Sequence, residues 1–239
     1  MADPIPGADR VIVALDRPTT DENLALIDAL DGHARWFKVG MRQFYAGGEP
    51  VLERIEQAGA QLFLDLKLHD IPKTVEGAAR SLARFSPALT TVHASGGAAM
   101  IRAAVEAFGS LGATTRVLAV TVLTSLDADD LAALGVAGTA RDVARRWAAA
   151  AVDAGAHGLV CSGHEAAALR AAVPGALLVT PGIRLAGDAV GDQKRVMTPR
   201  RALEAGATHL VVGRPIHAAD DPAAAFARVC ADAASAHSG

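Results

Sequence analysis

Apolar positions along the chain fall into two alternating rhythms. Short runs of Val, Ile, Leu and Phe recur at intervals of roughly 20 to 35 residues, and alanine-rich stretches with helical spacing separate them. The runs predict strands at Arg10–Leu15, Trp36–Gly40, Gln61–Lys67, Leu89–His93, Arg116–Leu123, Gly158–Ser162, Leu177–Thr180 and His209–Gly213. Helix signals sit between them. Thr19 and Glu22, ahead of Leu24, Ile27 and Leu30, have capping-box spacing. Predicted helices over Glu49–Ala58 and Arg141–Ala154 each run into a glycine, Gly59 and Gly155, and glycine readily takes the left-handed turn that ends a helix. Asp221-Pro222 places proline at the first helical position before Ala223–Ala234.

Eight strand–helix units with no composition break predict an α/β protein, a (β/α)8 TIM barrel occupying residues 1–239 as one domain with short flexible termini. An open doubly wound sheet would usually carry a Gly-x-Gly-x-x-Gly turn after its first strand. Here that strand leads into Ala14-Leu15-Asp16-Arg17-Pro18. In a barrel, chemistry belongs at the carboxyl ends of the strands, so the polar residues there are the candidates.

Composition narrows the setting. With two Trp, one Tyr and six Phe in 239 residues, the core must be aliphatic. A formal net charge of −3 gives no reason to expect nucleic acid or an anionic membrane as partner. No apolar run approaches a membrane span, and no basic-then-apolar leader is visible, so a cytoplasmic location is expected. Cys161 and Cys230 lie far apart and form no metal or redox spacing, and no Cys/His set suggests zinc.

The segment Asp65-Leu66-Lys67-Leu68-His69-Asp70-Ile71-Pro72-Lys73-Thr74 carries the strongest chemical signal. Strand alternation puts Asp65 and Lys67 on one face, and Pro72 forces the strand to end near His69 or Asp70. A lysine flanked by two carboxylates at a strand end is a proton donor held in place. A structural ion pair would have the same appearance. Only four of the 23 basic residues are lysine, however: Lys38, Lys67, Lys73 and Lys194. Arginine cannot act as an acid, so the rare lysines are better read as chemical.

Other strand ends extend the site. Asp16 and Lys38 end strands one and two, and with Asp65 and Lys67 they would form a row of alternating charge. Desolvating such a row costs more than it returns unless it is well arranged, which favours function over mere closure of the barrel top. Thr121 to Ser125 offer hydroxyls, a weak signal alone. Pro181-Gly182-Ile183-Arg184 opens a long Gly- and Asp-containing stretch with the length of an active-site lid, and Val212-Gly213-Arg214 ends strand eight. Loops seven and eight are the usual phosphate site of a TIM barrel. His69 is expected to hold the central motif and His93 to lie at the floor of the site. The remaining histidines read as structural or surface positions.

Taken in order, these motifs resemble the orotidine 5′-phosphate decarboxylase family. They are Val13-Ala14-Leu15-Asp16, Phe37-Lys38-Val39-Gly40, Asp65–Thr74, Val120–Ser125, Pro181–Arg184, Gly191-Asp192-Gln193 and Val212-Gly213-Arg214, and they span nearly the whole chain. The resemblance implies cofactor-free decarboxylation of orotidine 5′-monophosphate, the last step of de novo UMP synthesis, in a homodimer with shared active sites. Lys67 resembles the acid that protonates C6, flanked by Asp65 and by Asp70, with Asp70 reaching the neighbouring subunit's site. Lys38 and Asp16 resemble the ribose contacts that complete the charged row, and Thr124 the pyrimidine contact. Arg184, Gln193, Gly213 and Arg214 resemble the phosphate grip, with Gln193 on a closing loop. Thr74 resembles a second residue shared across the interface.

Two alternatives remain. A related barrel group of sugar-phosphate decarboxylases and aldolases shares Asp-x-Lys-x-x-Asp but uses Mg²⁺, held partly by an acid at the end of strand two. Lys38 occupies that position here and would repel the metal. A non-catalytic nucleotide-binding barrel is the other, although binding alone does not require an acid such as Lys67.

Overall fold

The computed structural model describes residues 5–123, 125–186 and 196–237. Eight parallel strands close in chain order into a barrel. They are β1 (Val11–Ala14), β2 (Trp36–Gly40), β3 (Gln61–Leu68), β4 (Leu89–His93), β5 (Arg116–Val120), β6 (Gly158–Val160), β7 (Leu177–Thr180) and β8 (His209–Val212). The helices are α1 (Thr20–Ala29), α2 (Met41–Tyr45), α3 (Glu49–Gln57), α4 (Pro72–Leu82), α5 (Gly97–Ser110), α6 (Ala128–Ala133), α7 (Ala140–Asp153), α8 (Gly163–Ala172), α9 (Pro199–Glu204), α10 (Arg214–His217) and α11 (Pro222–Ala234). The barrel expected from the sequence is therefore the fold. The terminal residues 1–4 and 238–239 lie outside the described residues.

Side-chain alternation sorts the strand residues into two cores. Val11, Val13, Phe37, Val39, Leu62, Leu64, Leu159, Leu178, Leu210 and Val212 face outward, where the helices cover them. Ile12, Ala14, Phe63, Leu89, Leu118, Val179 and Val211 face inward and fill the barrel. The same parity carries Asp16 above Ala14, Lys38 above Trp36, and Asp65 above Phe63. Charge thus begins where the inner apolar layer ends, at the carboxyl rim.

The helices cover the outer face by ordinary amphipathic spacing. α11 buries Phe226, Val229, Cys230 and Ala233, at i, i+3, i+4 and i+7. The Thr19–Glu22 capping box forms as expected, and Gly59 and Gly155 take positive φ of 64° and 97° just past α3 and α7. Some strands stop earlier than their apolar runs. β6 offers partners only from Gly158 to Val160, so the β5–β6 ladder ends at Val120, with one further bond from the Thr121 N–H to the Val160 carbonyl. Residues Thr121–Leu123 then enter the loop above the rim.

Candidate active site

At the carboxyl end of the barrel, Asp16, Lys38, Asp65 and Lys67 form a chain of ion pairs. Lys38 Nζ lies 3.2 Å from Asp16 Oδ1 and 3.9 Å from Asp65 Oδ2, and Lys67 Nζ lies 2.8 Å from that same Asp65 oxygen. The alternation of sign expected from three successive strand ends is present. Lys38 and Asp65 are buried, at 8% and 9% exposure, while the Asp16 side chain is half exposed. The row therefore runs from solvent into the barrel mouth.

Asp65 bears two opposed influences. Burial pushes its carboxyl upward, but Lys38, Lys67 and hydrogen bonds from Lys67 and Thr91 outweigh that and hold it below the usual carboxylate range. It is an anion at neutral pH, fixed between two cations. Gly40 makes room for this arrangement: it pairs with Asp65 in the β2–β3 ladder, and a Cβ placed there would come within 3.0 Å of Lys38 Nζ. The glycine in Lys38-Val39-Gly40 thus lets the lysine fold back across its own strand.

The row lines one side of a cavity of about 520 Å³. The rest of its lining includes Pro181, Gly182, Arg184, Gly213, Arg214 and His217, so the expected phosphate-side residues from loops seven and eight share one space with the charged row. Arg184 is buried, and its Nη1 donates to the Ile183 carbonyl at 2.7 Å. Gly213 and Arg214 begin α10 directly beyond β8. The base of the long loop after β7 is tied by a parallel bridge between Ile183 and Met197. Gln193 and the rest of 187–195, the expected lid, lie outside the described residues, as does Thr124.

Three expected residues are placed apart from the row. The Asp70 carboxylate is exposed and accepts the Ile71 N–H at 2.6 Å, and it does not join the ion pairs among the described residues. Thr74 sits exposed in the first turn of α4. His93 does not line the cavity; its ring packs on His69 at 5.1 Å between centroids, close behind the Lys67 segment. Burial, His69 and Lys67 lower its pKa and keep it neutral.

Sequence reasoning misses two participants. His217 reads as a structural or surface position, yet α10 returns it to the cavity wall, where burial lowers its pKa. Thr91 does not stand out either, although its hydroxyl donates to Asp65 Oδ1 and accepts the Lys67 N–H, both at 2.9 Å. The pair Thr90-Thr91 within a buried strand is visible in the sequence, but only the shifted register against β3 shows what Thr91 touches.

A barrel presenting an acid–base row and an arginine pair in one cavity belongs to the class of phosphate-handling TIM-barrel enzymes. Residues 9–229 match the profile of the Orotidine 5'-phosphate decarboxylase / HUMPS family, and the chain belongs to that family. It is 53% identical over 93% of its length to an orotidine 5′-phosphate decarboxylase of Thermobifida fusca, covering 94% of that protein. It is 50% identical over 99% of its length to one from a Methylobacterium species, covering all of it. A crystal structure of orotidine 5′-phosphate decarboxylase from Lactobacillus acidophilus superposes with a TM-score of 0.82 at 37% identity, covering 94% of this chain and 99% of that one.

Proposed function

We propose that this chain decarboxylates orotidine 5′-monophosphate to uridine 5′-monophosphate and carbon dioxide, using no metal or cofactor. One observation carries the reading beyond family membership: the Lys67 ammonium is held 2.8 Å from the buried Asp65 carboxylate, in a cavity also lined by two arginines. Substrate would lie between them, with its phosphate toward Arg184, Gly213 and Arg214. Its ribose would lie toward Asp16 and Lys38, and its C6 carboxylate toward Asp65 and Lys67. Gln193 and Thr124 complete the phosphate and pyrimidine contacts, while Asp70 and Thr74 serve the neighbouring subunit of a homodimer.

In the reaction the bond between C6 and its carboxylate breaks, and carbon dioxide departs without the bonding electron pair. That pair remains on C6 as a carbanion which the pyrimidine ring cannot delocalise well. The fixed Lys67 ammonium stabilises it and supplies the proton that forms the new C6–H bond. Lys67, left neutral, regains a proton from water. The Asp65 charge faces the departing carboxylate, and phosphate binding far from C6 contributes energy that can be realised in the transition state.

Mg²⁺ is not required in this scheme, since Lys38 places a cation where the sugar-phosphate group uses an acid. Turnover of orotidylate followed by ultraviolet absorbance, with and without exhaustive chelation, tests the proposal. Equal activity in both samples is expected. Loss of activity on chelation with recovery on adding Mg²⁺, or no turnover at all, refutes it. A cytoplasmic location accords with de novo pyrimidine synthesis. No helix among the described residues is long and apolar enough to cross a membrane.

A further inference from the structure

Between their flanking pairs, β3 carries two more residues than β4. Leu64 faces Thr90 and Leu68 faces Val92, so four steps along one strand match two along the other. The surplus falls on Asp65-Leu66-Lys67. Because it is two residues, Leu68 beyond it faces the outer core as Leu64 does; a surplus of one would have reversed the facing of the strand there. Lys67 absorbs the irregularity with φ of +50°, a left-handed conformation that a residue with a Cβ seldom adopts. The ladder is interrupted where the reacting groups sit, so its lost hydrogen bonds must be replaced.

Thr91 supplies one such replacement. Its Oγ1 accepts the Lys67 N–H at 2.9 Å and donates its own proton to Asp65 Oδ1 at 2.9 Å. The residue is fully buried and is not part of the cavity wall. A hydroxyl can donate and accept at once, and here both capacities are used on the two residues of the catalytic pair. Asp65 Oδ2 remains for Lys38 and Lys67. The neighbouring Thr90 is equally buried, but its hydroxyl donates to the Leu64 carbonyl at 3.0 Å and touches neither residue.

We propose that Thr91 is a positioning residue for the decarboxylation, its one hydroxyl locking the strained Lys67 backbone and the Asp65 carboxylate to each other so that the ammonium is aimed at the reacting carbon. This rests on the function proposed above. Steady-state turnover of orotidine 5′-monophosphate, affinity for uridine 5′-monophosphate and thermal melting would be measured for the wild type, Thr91→Val, Thr91→Ser and Thr90→Val. Misplacement of a reacting group by an ångström costs on the order of 100-fold, so Thr91→Val should lose about that factor in kcat, with KM and product affinity changing less than about threefold. Thr91→Ser keeps the hydroxyl and should restore most of kcat. Thr90→Val should lower Tm while leaving kcat near the wild-type value.

The role is overturned if Thr91→Val retains kcat, if Thr91→Ser is as impaired as Thr91→Val, or if Thr90→Val loses kcat equally. Should Thr91→Val fail to fold, Thr91→Ala against Thr91→Ser decides the matter, and equal kcat in the two refutes the role. A wild-type chain inactive on orotidylate refutes the decarboxylase reading and this role with it. An active wild type with an indifferent Thr91→Val refutes this role alone.

Discussion

At the scale of single residues, the site depends on putting charge where water is scarce without leaving any of it unpaired. Asp65 is shared between Lys38 and Lys67, and Lys38 between Asp65 and Asp16, so each buried charge of the row has an opposite neighbour. Removing one member therefore does more than delete a side chain. Lys67→Ala takes away the proposed proton donor and the cation beside C6, and it leaves Asp65 with Lys38 as its remaining counter-charge. Turnover is expected to fall by at least about 10³-fold, the upper end of what a single preorganised electrostatic group supplies. The barrel should stay folded, because the inner and outer apolar cores do not involve Lys67. Circular dichroism and melting beside the kinetic assay check both halves, and near wild-type activity in a folded variant would refute the mechanism.

At the scale of elements, the proposed function divides the work of the strand ends between the row and a phosphate side. The Gly213-Arg214 turn opens α10 from the rim of β8 and lines the same cavity as Lys67. Arg214→Ala is expected to lower kcat/KM for orotidine 5′-monophosphate by about 100-fold, since a charge-assisted grip on the phosphate acts in the transition state too. The phosphate-free nucleoside should be affected far less, and equal losses for both substrates would refute the assignment. Much of this element-scale architecture is legible in the sequence. β2, β4 and β7 match their predicted ranges residue for residue, because buried parallel strands are rich in β-branched, aliphatic and aromatic residues. Asp16, Lys38, Asp65 and Lys67 are readable because alternation projects strand-end residues into the mouth. His217 and Thr91 are not readable in this way. His217 reaches the wall only because a four-residue helix turns back over the rim, and Thr91 matters only because β3 and β4 fall out of register. Local pattern does not encode either event.

At the scale of the whole molecule, acid stability is governed partly from the end of the barrel opposite the site. His209 begins β8 with its ring edge-on to Trp36, 5.4 Å between centroids. Burial, with Arg10 and Arg116 adding to it, lowers its pKa to about 4. An unfolded histidine takes up its proton near pH 6.5. Between that value and about 4 the unfolded chain binds a proton that the folded barrel refuses, so folding stability falls as pH drops through this window and levels off below it. His209→Gln should reduce this acid loss, by no more than a few kcal/mol, in denaturant titrations from pH 7 to 4.5. An unchanged slope would mean that other histidines lowered in the same direction, such as His157, carry it.

Assembly is the larger question at this scale. Asp70 stands exposed and apart from the row, yet it belongs to the same short segment as Lys67. In the proposed homodimer this carboxylate would serve the site of a second copy of the chain. Each site of the proposed homodimer would then need Lys67 from one protomer and Asp70 from the other. Lys67→Ala and Asp70→Ala homodimers should both be severely impaired. In a heterodimer of the two, one site regains an intact Lys67 and an intact Asp70, while the other collects both defects. With equal chains exchanging at random in a two-fold dimer, about a quarter of all sites recover full composition. Activity should therefore rise toward that fraction when the two inactive proteins are mixed under conditions that permit exchange, and it should stay absent when exchange is blocked by cross-linking beforehand. Verified heterodimers with no recovery would place the function of Asp70 within its own chain.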